Sequence, residues 1–232
     1  MHYSFIERHF LLPTFLFLFT VIIYELYDFD LVVADWLYAL EGNQWLLRSH
    51  YITKIVLHDR AQDLSKLIGV LFLILAILSH FIQRLSPYKK GLWLLFISFS
   101  VSAALVAFGK AISHVDCPWD LQRYGGTRPY LRTFDIHPGT YKFGRCFPSG
   151  HASGGYGLVG VYFFLLHYLP KWKWLGLGAA IFIGLIYGFT QQLRGGHFLS
   201  HDIWTFYICW VTALLTYCIL FKCNTQVQTD RI

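Results

Sequence analysis

The chain has 232 residues, of which 56% are hydrophobic and only 14% are charged. A soluble domain carries roughly a quarter of charged residues, so this composition excludes an ordinary soluble domain and indicates an integral membrane protein. The net charge of +6 comes without a basic run or a nucleic-acid-binding motif, and we therefore expect no nucleic-acid partner.

Six apolar runs are long enough, at roughly 17–25 residues, to cross the hydrocarbon of a bilayer as helices. The runs are continuously apolar rather than alternating, which favours helices over the strands of a membrane barrel. We predict an all-α fold, a polytopic bundle of six transmembrane helices in one membrane-embedded domain over residues 1–232. The predicted spans are 9–27, 66–84, 91–112, 151–169, 174–192 and 202–221.

Two shorter apolar stretches, 31–41 and 44–57, precede the second predicted span. Both are typical of helices that lie in the outer interface of a membrane rather than crossing it. They are compatible with a lid or a ramp for lipid, and equally with a connector that packs on the bundle.

Lys and Arg residues in short loops predict the orientation of the chain, because such loops stay on the cytoplasmic side. The basic residues fall in three places that alternate correctly with the spans, and Arg8 lies before the first span, so both termini are expected in the cytoplasm. The opposite side then holds 28–65, 113–150 and 193–201. We expect the inner (plasma) membrane of a bacterium, with these segments in the periplasm. The basic residues are Arg84, Lys89, Lys90, Lys171, Lys173, Lys222 and Arg231.

Polar residues on this outer side concentrate in three elements. Lys110 ends the third predicted span, residues 148–151 (PSGH) begin the fourth, and residues 194–202 (RGGHFLSHD) lead into the sixth. Helix N-termini have unpaired N–H groups and attract anions. Gly150 allows a ligand close to the backbone, and Ser149 can cap the helix and donate to a phosphate oxygen. The pattern predicts a site for a dianion such as phosphate.

Histidines on two different helices are suited to a two-step phosphoryl transfer. A neutral imidazole can attack phosphorus, and a second, protonated imidazole can give a proton to the leaving oxygen. Lysine and arginine can neutralise the remaining phosphoryl oxygens. We therefore expect neither a metal nor another cofactor.

At these residues the chain resembles the type 2 phosphatidic acid phosphatase superfamily, whose signature is K-x6-R-P, then P-S-G-H, then S-R-x5-H-x3-D. The second part is intact at 148–151, and the likeness covers about 66–221. The resemblance implies that His197 is the nucleophile, His151 the general acid and Lys110 a phosphate-binding residue. It also implies a membrane hydrolase that forms a phosphohistidine on a lipid phosphate or pyrophosphate. Candidate substrates by resemblance are phosphatidylglycerophosphate, phosphatidate, undecaprenyl pyrophosphate and lipid A.

The first and third parts of the signature are altered. Cys117 stands where the first part has arginine, and Gln191 stands where the third part has arginine. Arg194 is the preferred replacement because it is closest in sequence to His197. The other candidate phosphate-binding arginines are Arg123 and Arg128.

The partner that orients the nucleophile has two candidates. His201 lies four residues after His197, on the same helical face, while Asp202 is a better acceptor turned about 100° further round the helix. An alternative alignment makes His201 the nucleophile and leaves Thr205 in the acidic position. The glycine-histidine-aromatic order around His197 favours the first alignment.

Cys117 and Cys146 both lie in the longest outer loop. In an oxidising compartment a disulfide between them would clamp this loop between the first two signature parts. Such a bond would also explain a cysteine where the family has arginine.

Three other functions fit the same residues. The phosphoryl group could pass to another lipid instead of water. A zinc enzyme could use His151, His197 and His201 as ligands, although the glutamate of H-E-x-x-H is missing. A homologue with altered motifs could bind or transport lipid without catalysis.

Overall fold

The computed structural model describes residues 4–132, 135 and 144–222. These ranges contain helices and no strand, apart from an isolated bridge between Leu121 and Arg128. The predicted all-α class is therefore confirmed. The α-helices are α1 (Leu12–Tyr27), α2 (Phe29–Leu40), α3 (Ala61–Leu78), α4 (Lys89–Ile112), α5 (Gly150–Tyr156), α6 (Gly160–Tyr168), α7 (Lys173–Leu193) and α8 (Leu199–Phe221).

Five helical segments among the described residues are long and apolar enough to cross a membrane, and they support an integral membrane protein. Four of them begin with a π-helical or 3₁₀ stretch that continues directly into an α-helix. The segments are Glu7–Tyr27, Ile52–Leu78, Ser86–Ile112, Pro170–Leu193 and Leu199–Phe221.

The predicted span 151–169 is not one of these five. This region is helical, but the 3₁₀ turn Gly157–Val159 separates α5 from α6. Its first two turns consist mainly of glycine, serine, histidine and tyrosine, which lower the mean hydropathy of the segment.

The second span begins earlier than predicted. The π-helical segment Ile52–Arg60 continues without a break into α3, and the long helix ends at Leu78 instead of residue 84. The last residues of the predicted interfacial stretch 44–57 therefore belong to this helix. The polar residues of 52–60 hid its start from sequence analysis. Helix α2 agrees with the helix predicted over 31–41.

The centre of the bundle is formed by α4, α5, α6, α7 and α8, which pack closely on one another. Large buried side chains from α4, α6 and α8 and from the 3₁₀ turn Gly157–Val159 fill the core, whereas α1 and α3 expose most of their apolar side chains outward. Such exposed apolar faces suit contact with lipid. The main core residues are Leu94, Val159, Phe163, Trp210, Leu214 and Tyr217.

The end of α4 and the starts of α5 and α8 meet at one end of the bundle. Ser113 donates to the carbonyl of Phe147 at 2.6 Å, and the N–H of Ser149 donates to the carbonyl of His201 at 3.3 Å. The three polar elements identified in the sequence therefore lie together.

Helix α2 closes over this end. The Asp30 carboxylate accepts from the backbone N–H of Ser200 at 2.9 Å and also from the Ser200 hydroxyl. An acceptor of this kind satisfies a donor that the first turn of α8 would otherwise leave unpaired. Helix α2 thus holds the start of α8 from outside the bundle.

Candidate active site

A cavity of about 530 Å³ lies between the Ile52–Leu78 helix, α4 and the start of α5. Residues from all three polar elements line it: Lys110, Gly150, His151 and His197. The two histidines with predicted chemical roles therefore share one cavity, although 46 positions separate them in the chain.

Lys110 lies directly beside the first residue of α5. A β-carbon built on Gly150 would come within 3.3 Å of Lys110 Cδ and 3.5 Å of Nζ. The absence of a side chain at Gly150 therefore leaves the space that Lys110 occupies, and the ammonium group reaches the cavity beside His151.

Ser149 differs from expectation. It occupies the N-cap position of α5, but its side chain makes no capping hydrogen bond and is fully buried. It is also not one of the described residues that line the cavity. Its carbonyl instead accepts from Thr205 Oγ1 at 3.1 Å, so Ser149 joins α5 to α8. The prediction that the Ser149 side chain caps this helix is therefore wrong.

His151 is held by a residue that sequence analysis gave no special role. Its Nε2 is 2.9 Å from the backbone carbonyl of His58, and the two imidazole rings stack with centroids 4.1 Å apart and planes 7° apart. Because a carbonyl only accepts, Nε2 carries the proton, and Nδ1 is the nitrogen left for other chemistry. His58 itself also lines the cavity.

The turn that leads to His197 is tightly enclosed. Gly195 has a φ of 68°, in the left-handed region that favours glycine. Its carbonyl accepts from the N–H of Trp119 at 3.0 Å. A β-carbon on Gly195 would come within 2.5 Å of Trp45 Cδ2, so no side chain fits between the turn and the indole.

His197 is buried and contacts His201, with their Nδ1 atoms 3.3 Å apart. Burial lowers the pKa of His197 well below its usual range. The positive charge of Lys110 and the proximity of His201 lower this pKa further, and a hydrogen bond to the Cys146 backbone opposes them. A neutral imidazole is the form that attacks phosphorus.

Asp202 points to a different neighbour. Its Oδ2 accepts from Gln192 Nε2 at 2.6 Å, which ties the first turn of α8 to the last turn of α7. Of the two predicted orienting partners, His201 is the one whose ring contacts His197.

Arg194 lies just behind the cavity wall. Its Nη1 donates to Gln191 Oε1 at 3.0 Å, and Gln191 lines the cavity. Its Nε donates to the carbonyl of Arg48 at 3.1 Å, and the side chain is buried. Arg194 is therefore the predicted arginine closest to the site.

The two other predicted arginines pair with carboxylates elsewhere. Arg123 binds Asp35 of α2 through two hydrogen bonds of 2.7 and 2.6 Å, in a pair that is about half exposed. Arg128 forms an ion pair with the buried Asp116. Neither arginine lines the cavity, and both are removed from the candidate phosphate-binding residues.

A disulfide joins Cys117 to Cys146, with a Cα–Cα distance of 5.3 Å. The chain near each of the two cysteines forms a hydrogen bond with the turn that contains His197. Trp119, two residues after Cys117, donates to Gly195, and the Cys146 backbone bonds to His197. The clamp considered from the sequence thus holds the segment that carries His197.

The histidines of the zinc alternative do not converge on one point. His197 and His201 turn their Nδ1 atoms toward each other, and His151 uses Nε2 on a carbonyl. Across the described ranges, no group of three or more His, Cys, Asp or Glu residues is arranged to hold a metal ion.

The family model of the PAP2 superfamily matches residues 90–225, more than half of the chain. The chain belongs to the PAP2 superfamily. The matched range contains Lys110, His151 and His197, and it confirms the resemblance drawn from the signature. No curated protein and no solved structure matches the chain.

Membership of the PAP2 superfamily gives the geometry a chemical context. The superfamily generally comprises phosphatases, which supports a phosphoric ester hydrolase that acts on lipid phosphates. The apolar helices of this PAP2 protein place it in a membrane.

Proposed function

We propose that the chain is a single membrane-embedded domain that hydrolyses a lipid phosphate monoester or pyrophosphate through a phosphohistidine. The observation that carries the proposal is the shared cavity. Lys110, His151 and His197 come from three separate segments and line the same space.

In the first step the neutral His197 attacks phosphorus. The attack requires the tautomer in which His197 Nδ1 donates to His201 Nδ1, because Nε2 then has the free electron pair. An N–P bond forms while the P–O bond to the lipid breaks, and a proton from Nδ1 of His151 passes to the leaving oxygen. His201 orients the attacking ring.

In the second step His151 takes a proton from water, and the water oxygen attacks the phosphohistidine. The N–P bond breaks, inorganic phosphate leaves and His197 returns to its neutral form. Lys110 and Arg194 offset the charge that builds on the phosphoryl oxygens, the part of catalysis that fixed cations supply best. These residues complete the cycle without a metal.

The protonation state of the His197 ring supports its role as nucleophile. The lowered pKa of His197 keeps its ring neutral near neutral pH. The negative charge of a bound phosphate favours a protonated His151, because an opposite charge stabilises the ionised form. The general-acid role of His151 requires this protonated form while substrate is bound.

The proposed membrane arrangement has six crossings. Five are the candidate spans, and α5 and α6 together form the additional one, which is fourth in chain order. Helix α2 lies in the outer interface, the cavity opens on the extracytoplasmic side, and both termini are cytoplasmic. The basic residues in the loops at the opposite end support this orientation. We place the protein in a bacterial inner membrane.

The test is phosphate release by purified protein from phosphatidate, phosphatidylglycerophosphate and a prenyl pyrophosphate. His197→Ala should reduce turnover by at least about a thousandfold, because loss of a nucleophile removes the covalent route. His80→Ala is the matched control, since His80 accepts from Trp93 beyond the far end of α3.

The same assay separates the alternatives. Turnover that survives in His197→Ala removes the mechanism. Loss of activity with a chelator and recovery with zinc would indicate a metal enzyme. Product phosphate found on an added acceptor lipid would indicate transfer, and binding without turnover would indicate a lipid-binding protein.

A further inference from the structure

His58 contacts the candidate site through both its backbone and its side chain. It lies in the Ile52–Arg60 π-helical segment, outside the residues that the family model matches. Its carbonyl accepts from His151, its ring stacks on the His151 ring, and its edge lines the cavity.

The His58 ring is itself held in place. Its Nδ1 lies 2.8 Å from Asp59 Oδ1, and a carboxylate accepts, so Nδ1 carries a proton and donates. The His58 carbonyl also accepts from the N–H of Ala61 where the π-helical segment ends. Backbone and side chain of one residue therefore fix both the edge and the face of the His151 ring.

We propose that His58, braced by Asp59, is a positioning residue that aligns the His151 ring so that its Nδ1 faces the leaving oxygen. This inference rests on the proposed function, since it assumes that His151 is the general acid. The His58 carbonyl sets which nitrogen is free, and the stacked ring sets the plane in which that nitrogen lies.

The physical reason is the sensitivity of proton transfer to geometry. A general acid has to be within hydrogen-bond reach of the oxygen that it protonates. Displacement of a reacting group by about 1 Å can cost on the order of a hundredfold in rate. Loss of the stacked ring frees His151 to rotate about its bond to the carbonyl, and leaving-group protonation suffers first.

The experiment compares two leaving groups. An alkyl alcohol needs a proton to leave, whereas 4-nitrophenol does not. We expect His58→Ala to lower kcat/KM for dodecyl phosphate by about tenfold and to change kcat/KM for 4-nitrophenyl phosphate by less than about twofold. His151→Ala should show the same selectivity with a larger loss.

Two further variants guard against an effect on folding. His58→Gln has a similar volume without a flat ring and should show the same selective loss. His58→Phe retains a stacking ring and should recover most of the alkyl phosphate activity. His80→Ala should leave both activities unchanged, because its contact with Trp93 is remote from the cavity.

Equal loss on both substrates, or no loss on either, in His58→Ala and His58→Gln would overturn the inference and leave the proposed function intact. Turnover that persists in His197→Ala would instead overturn the proposed function, and this inference with it. The two failures are therefore distinguishable in one set of measurements.

Discussion

Lys110, His151 and His197 all lie within residues 90–225, whereas many of the groups that hold them come from residues 4–89. The carboxy-terminal region thus carries the side chains of the proposed catalytic site. The amino-terminal region supplies a carbonyl and a stacked ring to His151, and an acceptor to the start of α8. A family signature records groups that react, and it does not record contacts that place them.

This difference predicts two kinds of defect. Substitution of a charged group that is proposed to offset the charge of phosphate should remove most activity. Substitution of a residue that places such a group should cost less activity and should also lower stability.

Among the substitutions that compare the two regions, the largest effect is expected at Arg194. Arg194→Ala should lower kcat/KM by about a hundredfold, a typical loss when one charge-stabilising donor is removed. Arg123→Ala is the matched control, because Arg123 pairs with Asp35 away from the cavity. Phosphate release gives kcat/KM for both variants. Equal losses in the two variants would contradict a phosphate-stabilising role for Arg194.

A smaller loss is expected where the two regions touch at Gly195. Gly195→Ala should cost on the order of tenfold in kcat/KM, because a methyl group there meets the Trp45 indole and displaces the His197 turn. Gly42→Ala is the control, since Gly42 has a similar φ of 72° but no atom within 4 Å of the point where a β-carbon would lie. If both variants behave alike, backbone strain alone explains the loss.

A still smaller loss is expected at Asp30, which belongs wholly to the amino-terminal region. Asp30→Ala should lower stability by about 1–2 kcal/mol, as loss of a helix-capping acceptor typically does, with an activity loss of only a few fold. Asp35→Ala is the control on the same helix, since its pair with Arg123 is half exposed and should contribute about 0–1 kcal/mol. Thermal unfolding in detergent measures both variants.

The last prediction concerns the protonation of the His197 ring as a function of pH, and it is tested on the unsubstituted protein. Because burial lowers the pKa of His197, the ring should remain neutral as pH falls through 6.5 and gain its proton only well below that value. Histidine ring resonances in NMR report this directly, with His197→Ala to assign the signal. A ring that titrates near 6.5 would contradict a preformed neutral nucleophile.

The helical class and the family could both be predicted from the sequence, because both depend on local patterns. Long apolar runs gave four of the five candidate spans with nearly correct limits. The intact PSGH segment and the order of the three polar elements gave the family. The start of the second span was missed because polar residues of 52–60 reduce its apolar character.

Contacts between residues that are far apart in the chain could not be predicted from the sequence. His58 lies 93 positions from His151, and no local pattern connects them. The sequence offered Arg123 and Arg128 as candidate phosphate-binding residues, but Asp35 and Asp116 bind them. The choice between His201 and Asp202 depended on Gln192, whose amide contacts Asp202 from the end of another helix.

The Cys117–Cys146 bond ties the maturation of the site to redox conditions. Until this bond forms, the segment that supports His197 lacks the covalent link between its two ends. Reducing compartments keep cysteine thiols reduced, whereas oxidising compartments allow the disulfide to form. In the proposed orientation, a newly made chain would therefore complete its site only after this loop has crossed the membrane, which would delay the proposed dephosphorylation until then.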